Sequence, residues 1–383
     1  MNTKDIIEHQ WPFLLSFVPH DIDLDQTAYQ FGAMRRKRLI SRASDLLRFA
    51  LAYGFCGMSL RQTAAWSDMV GLGAISDVAL LKRLRTAADW LGFLVGKKLA
   101  DRLEHRPATE GAVRLRIVDA TVVNGPDSHG TDWRIHLGWD LADLAINHIE
   151  LTDSSGGEQL GRYRFSPGEV VLADRGYAHR PGLFHVQNSG AHYVVRTNWK
   201  NVPLTDAQGK NLDILEQVRD LPEAAIADLE VGIKADTRRG LPALKARLVV
   251  LRKSEAAAEK SRKELVVQRG RVVKAFDPRS FEAAGYVFLL TSLPRQVATA
   301  QDVLAFYRWR WQIEMTFKRL KGMIHLGELP IRDRRLARAV LYARLLAALL
   351  LDDYTERYLA ISPWGFDAHH PSVVSVENAT GSS

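Results

Sequence analysis

The feature that most constrains this chain is a change of hydrophobic period at Val113. Before it, apolar residues recur at helical spacing, as in SRASDLLRFALAYGF (41–55). After it they alternate: VRLRIVDATVV (113–123) puts Val113, Leu115, Ile117 and Asp119 on one face, with Asp119 read as the acid that ends the strand. DWRIHLGW and AINHIELTD read as two more strands, joined by a turn at Asp140–Leu144. EVVLADRGY (169–177) is a nearly continuous apolar run closed by Asp174, the pattern of a parallel strand covered on both faces. A helix near Arg180–Asn188 and a strand in AHYVVRTN follow. Strands that meander and then alternate with helices build a mixed sheet flanked by helices, an α/β layer.

The chain has 383 residues, long for one domain, and divides by pattern. Residues 1–108 read as all-helical, 109–198 and 285–330 as two parts of the α/β core, and 199–284 as a β-rich insertion between them. Residues 331–361 read as a helical segment and 362–383 as a mobile polar tail. Within the insertion, ARLVVLRK and ELVVQRGRVVKAFD both read as strands. In the helical part, SLRQTAAWSDM and SDVALLKRLRTAADWLGFLV form a helix pair with Ser59 and Ser76 as N-caps and Gly71 and Gly73 between them. The second helix carries Lys82, Arg83 and Arg85. The pair fits a DNA-reading helix-turn-helix and equally a hairpin of a helical bundle.

The formal charge of +8 fits a polyanionic partner, nucleic acid first, and also a merely solvated basic surface. The single cysteine, Cys56, excludes an intramolecular disulfide and reads as core packing. The N-terminus lacks the order of a signal peptide, and the most apolar run, Ala339–Leu351, is short and broken by Arg344. The expectation is a cytoplasmic protein with no membrane segment, nucleoid-associated when bound to DNA.

Three carboxylates stand out. Asp119 faces the packed side of its strand, Asp174 sits at a strand's carboxyl end, and Glu314 lies in a helix that follows the last core strand, YVFLLTSL. Each has an ordinary reading alone: a strand-end acid, a partner of Arg175, an i,i+4 pair with Lys318. Together at one place they would repel, and a divalent cation would relieve the repulsion. Oxygen donors suit Mg²⁺ or Mn²⁺.

The helix sharpens this. YRWRWQIEMTFKRLK (307–321) holds five cations around the single acid Glu314. At about 100° per residue, Tyr307, Arg310, Glu314, Lys318 and Lys321 fall within a stripe of roughly 80°. Such a stripe is a poor apolar seam and a good surface for a phosphate backbone beside a metal. Trp309 and Trp311 flank it, as base-stacking or as core side chains.

The spacing Tyr307-x2-Arg310-x3-Glu314-x6-Lys321, with IVDAT around Asp119 and LADRGY around Asp174, resembles the DDE-type insertion-sequence transposases that carry a β-rich insertion before the catalytic glutamate. The resemblance implies a ribonuclease-H-like core and a DNA transposase that cleaves transposon ends and transfers strands into target DNA. It implies two Mg²⁺ ions, replaceable by Mn²⁺, on Asp119, Asp174 and Glu314. Tyr307, Arg310 and Lys321 would grip phosphates, joined on the helical geometry by Lys318 and, next to Asp174, by Arg175. The partners would be double-stranded DNA and a second copy of the chain. A nuclease of the same core that never joins strands, or an inactive DNA-binding derivative, would share these motifs.

Overall fold

The computed structural model describes residues 7–35, 40–104, 114–128, 130–141, 145–269, 277–310 and 329–360. Helices α1 (Trp11–Leu15), α2 (Leu24–Gln30), α3 (Ala43–Phe55), α4 (Leu60–Met69), α5 (Asp77–Thr86) and α6 (Ala88–Glu104) precede the sheet. Ser59 caps α4 in a reciprocal capping box with Gln62, and the Ser76 side chain accepts from Ala79 N–H at the start of α5. The last described helix, α12 (Arg334–Ala360), packs into this bundle against α3 and α6. The approach to α3 is close: a Cβ on Gly54 would lie 3.0 Å from Ala343 Cβ, which is why glycine sits there. The charge that breaks the apolar run, Arg344, donates from Nε to Gly54 O at 2.8 Å, satisfying a buried carbonyl between the two helices.

The strands form one nine-stranded sheet in the order β3-β2-β1-β4-β5-β9-β8-β7-β6. They are β1 (Arg114–Val123), β2 (Trp133–Asp140), β3 (Ala145–Asp153), β4 (Glu169–Ala173), β5 (His192–Thr197), β6 (Leu204–Thr205), β7 (Ile226–Ile233), β8 (Leu244–Arg252) and β9 (Tyr286–Thr291). β1, β2 and β3 meander antiparallel; β1, β4 and β5 run parallel; β9 returns antiparallel to β5. The first five strands have the ribonuclease-H-like order that the sequence resemblance implies.

Alternation splits the core in two. Leu115, Ile117, Val170, Leu172, Val194, Val249 and Leu289 pack with the helical bundle. Val118, Val171, Ala173, Val195, Leu248 and Leu290 pack on the other face with Leu183 and Val186 of α7 (Arg180–Asn188) and Ile214 and Val218 of α8 (Ile214–Val218). Helices therefore cover both faces.

Two local expectations are corrected. Asp119 does not end its strand: β1 continues to Val123, because β2 pairs with it antiparallel as far as Val123↔Trp133. ELVVQR is not a strand but the end of helix α9 (Glu255–Arg269). Its earlier residues, EAAAEKSRKE, are strong helix formers, and Glu259 pairs with Arg262 and Lys263 three and four residues on. A short helix, α10 (Arg279–Ala283), precedes β9. The strands between 199 and 284 do not stand apart: β8 pairs along β9, so they extend the sheet that carries β1 and β4.

Candidate active site

The parallel register brings the two aspartates to one level. Ile117 on β1 lies beside Leu172 on β4, so two residues further on Asp119 lies beside Asp174. Ala173 lies beside Val195 on β5, so Asp174 is followed across the sheet by Arg196. Alternation puts all three side chains on the face of Ile117, Leu172 and Val194, the face that the helical bundle covers. Arg196 Nη1 is 4.0 Å from Asp174 Oδ1.

Two buried tyrosines fix this level. Tyr163 donates its hydroxyl to the backbone carbonyl of Asp119 at 3.3 Å and lies 3.2 Å from the Tyr177 hydroxyl. Tyr177 closes the 3₁₀ turn Arg175–Tyr177 that begins directly after Asp174. The hydroxyl pair thus ties the β1 carbonyl to the turn carrying Asp174. Burial pushes both phenols above their usual range, so they remain neutral hydrogen-bonding groups.

The signature helix, α11, spans 300–310 within the described residues. Thr299 and Asp302 start it by reciprocal bonds: Asp302 Oδ2 accepts from Thr299 N–H at 2.9 Å, and Thr299 Oγ1 accepts from Asp302 N–H at 3.2 Å. Two turns on, Tyr307 donates its hydroxyl to Asp174 Oδ1 at 3.0 Å. Arg310 is buried, with its guanidinium 5.3 Å from the centre of the Tyr307 ring.

The electrostatics follow from this packing. Burial raises the Asp174 carboxyl, but the Arg175 backbone N–H, the charges of Arg310 and Arg196 and the Tyr307 hydroxyl outweigh it, and the group lies below the usual carboxylate range. Burial pushes the Tyr307 phenol up to about 12, so its proton stays on the hydroxyl that Asp174 accepts from. Burial works against the charge of Arg310, yet Tyr307, Asp174 and Asp119 together hold its pKa above the ordinary value.

The structure therefore brings together Asp119, Asp174, Tyr307 and Arg310. Glu314, Lys318, Lys321 and Trp311 lie outside the described residues. Arg175 contributes its backbone N–H to Asp174, while its side chain is exposed. Trp309 is 45 % exposed and touches Phe306, so it is not a core side chain. Tyr307, expected to face a phosphate, spends its hydroxyl on Asp174.

Sequence reasoning missed two groups. Arg196 was signalled by its place: it is one residue beyond Val195, as Asp174 is one beyond Ala173. Glu158, in the loop after β3, places its carboxylate against Gly176, where an added Cβ would collide with Glu158 Oε2. Burial raises the Glu158 carboxyl, Arg134 opposes this, and the charges of Asp119 and Asp174 raise it further. It is a fourth acid in the field of the first two. No local pattern in DSSGGEQL marks it; only the glycine after Arg175 hints that something needs the space.

Among the described residues no group of three His, Cys, Asp or Glu side chains is gathered closely enough to hold a metal ion. That set does not include Glu314. Asp119 and Asp174 supply two hard oxygen donors on adjacent strands, a donor type that fits Mg²⁺ or Mn²⁺.

The family described as "Transposase DDE domain" matches residues 111–350. This chain belongs to that family. It is similar to the transposase for insertion sequence element IS421 of Escherichia coli, with 39% identity over 360 residues, 92% of this chain and 96% of the relative. It is more distantly similar to the transposase for IS231B of Bacillus thuringiensis subsp. berliner, with 22% identity over 85% of this chain and 76% of the relative. Among solved structures it is similar to the cryo-EM structure of a piggyBac transposase synaptic complex with hairpin DNA, at 11% identity and a TM-score of 0.47, covering 94% of this chain and 75% of that one. The DDE domain carries a general dependence on divalent metal. No helix among the described residues is long and apolar enough to cross a membrane.

Proposed function

We propose that this transposase-family protein cuts DNA at the ends of an insertion element and joins the freed ends to target DNA, both reactions at one Mg²⁺- or Mn²⁺-dependent site. Asp119, Asp174 and Glu314 would hold the divalent cations. The observation that carries the reading is the level row of Asp119, Asp174 and Arg196, met from above by Tyr307 and Arg310 of the signature helix.

Bound there, divalent cations polarise phosphoryl oxygens and lower the pKa of water. The rest falls to the chain. Tyr307 orients the Asp174 carboxylate through its hydroxyl, which keeps one oxygen in a fixed direction. Arg310, in the field of Asp119 and Asp174, helps to keep the Asp174 carboxylate ionised and offers a positive charge to the charge that develops on the phosphate. In the first reaction the oxygen of water attacks phosphorus, the bond from phosphorus to the 3′ oxygen breaks, and that oxygen leaves as a 3′-hydroxyl. In the second the 3′-hydroxyl attacks a phosphodiester of the target, and a target 3′ oxygen leaves. Lys318, Lys321 and the exposed Arg175 side chain would neutralise flanking phosphates. Two copies of the chain would hold the two ends.

The test uses DNA carrying both flanks of the coding region. The wild-type protein should nick at the element boundary with Mg²⁺ and not with EDTA, and should join pre-cut 3′-hydroxyl ends to a plasmid. Asp119→Asn, Asp174→Asn and Glu314→Gln should each lose both reactions and keep DNA binding. Cutting retained in any of the three removes that residue from the site, and cutting without joining makes the protein a nuclease.

A further inference from the structure

The function proposed above needs DNA to be held as well as cut, and one cleft outside the acid site fits that task. It has a volume of about 440 Å³ and lies where α2, α5 and α6 meet the start of α12 and the start of β2. Arg35, Arg85, Arg334, Arg335 and Arg338 line it, with Trp133 as an aromatic wall. Two of the arginines are neutralised by acids: Arg85 pairs with Asp333, and Arg338 Nη1 is 2.9 Å from Asp89 Oδ1. Arg334 lies over the Trp133 ring with its guanidinium carbon 5.4 Å from the ring centre, an arrangement that fixes the plane of the fork. Arg35 and Arg335 are exposed and make no ion pair with the described residues. The balance of the cleft is positive, and its donors are guanidinium forks, which match phosphate oxygens two at a time.

Its position links it to the aspartates. Trp133 pairs with Val123 and Leu137 pairs with Asp119, so alternation keeps Asp119, Val123 and Trp133 on one face of the sheet. Four residue steps along β1 lead from Asp119 to Val123, about 13 Å at ~3.3 Å per residue. Along a duplex axis that is the rise of about four base-pair steps at ~3.4 Å each. Arg334 and Arg338 are one turn apart on α12, about 6 Å along the axis, close to two such steps.

We propose that this arginine cleft is a second DNA-backbone site, which holds phosphates of the same duplex about four steps from the phosphodiester presented to Asp119. It rests on the reading that the protein acts on DNA, and it adds a place where the helical bundle and α12 grip the substrate without reading sequence.

The experiment measures binding of a generic duplex by fluorescence anisotropy across a salt series, without divalent cation, for the full chain. The triple variant Arg35→Gln, Arg334→Gln, Arg335→Gln should bind with a slope of log K against log salt smaller by about 2 to 3, since each phosphate contact contributes about 0.9. The triple Arg→Lys variant should keep most of the slope. A Gln triple with the wild-type slope overturns the proposal. If that triple no longer melts cooperatively, Arg335→Gln alone decides: a slope lower by about one supports the cleft, and an unchanged slope overturns it. Mg²⁺-dependent cutting is measured on the same wild-type preparation. Cutting with an unchanged slope overturns the cleft alone, and a lowered slope without cutting overturns the catalytic reading alone.

Discussion

The two halves of the sheet solve different problems. In the half built of β3, β2, β1, β4 and β5, parallel neighbours put Asp119, Asp174 and Arg196 at one level. In the half built of β9, β8, β7 and β6, the same level runs on through Leu289 and Val249 to Asp228 on β7, an acid paired with Arg247 and Arg295, and these strands carry neither acid motif. They position the helix instead. Arg247 on β8 is buried, donates from Nη1 to the carbonyls of Leu293 and Ala298 at 2.8 and 2.9 Å, and is held from behind by Asp228 on β7. Leu293 and Ala298 lie in the segment between β9 and α11, so β7 and β8 tie down the start of the helix that delivers Tyr307 to Asp174. The comparison teaches that one half holds the acids and the other aims the helix at them, though only the first contains the two acid motifs.

The largest effect should come from the first half. Asp119→Asn or Asp174→Asn should lower DNA cleavage by on the order of 10³-fold or more, because metal-assisted charge stabilisation is worth several kcal/mol. Folding stability should hold, which thermal melting checks. In the second half the order reverses. Arg247→Met leaves Asp228 without its buried partner and strands two carbonyls, so stability should fall by about 3 kcal/mol, measured by denaturant unfolding. If Arg247→Met unfolds normally and cuts DNA normally, the division of labour between the halves is wrong.

The first half should also carry the pH dependence of stability. His136 on β2 and His148 on β3 both titrate at about 4; burial is the main cause for each, with Arg162 adding to it at both and Arg116 at His148. Their folded pKa is depressed, so the unfolded state binds more protons between pH 6.5 and 4. Stability is full above about pH 6.5 and falls toward pH 4, by on the order of 3 kcal/mol per histidine. His136→Gln should flatten that slope, read from unfolding at several pH values; an unchanged slope would place the protons elsewhere.

Smaller effects sharpen the geometry around Asp174. Tyr307→Phe removes one hydrogen bond and should cost about tenfold in cleavage, with little change in stability. Gly176→Ala should push the Glu158 carboxylate aside. A fall in cleavage of several-fold at unchanged melting temperature would give that fourth acid a part in the site, and full activity would leave it a bystander.

Much of the first half was legible in the sequence because its signals are local. VRLRIVDATVV alternates, VVLA (170–173) is apolar throughout, and an acid, Asp174, follows at the end of the second run. The position of Asp119 within β1 was not legible, because β2 rather than β1 decides how far that strand runs. ELVVQR misled because its short apolar run looks like a strand, whereas nine residues of helix-forming sequence before it carry the helix through. Arg196, Glu158 and Arg247 act through neighbours distant in sequence; Arg247, for instance, reaches Leu293 and Ala298. Residue type alone does not announce such contacts.

The central claim is that Asp119 and Asp174 share one cation site with Glu314. Titration of Mn²⁺ into the full chain, followed by the electron paramagnetic resonance of free Mn²⁺, tests it without any DNA reaction. The account predicts saturable binding that weakens at the same site in Asp119→Asn, Asp174→Asn and Glu314→Gln alike. Any one of these variants binding Mn²⁺ with the stoichiometry and affinity of the wild type would contradict it.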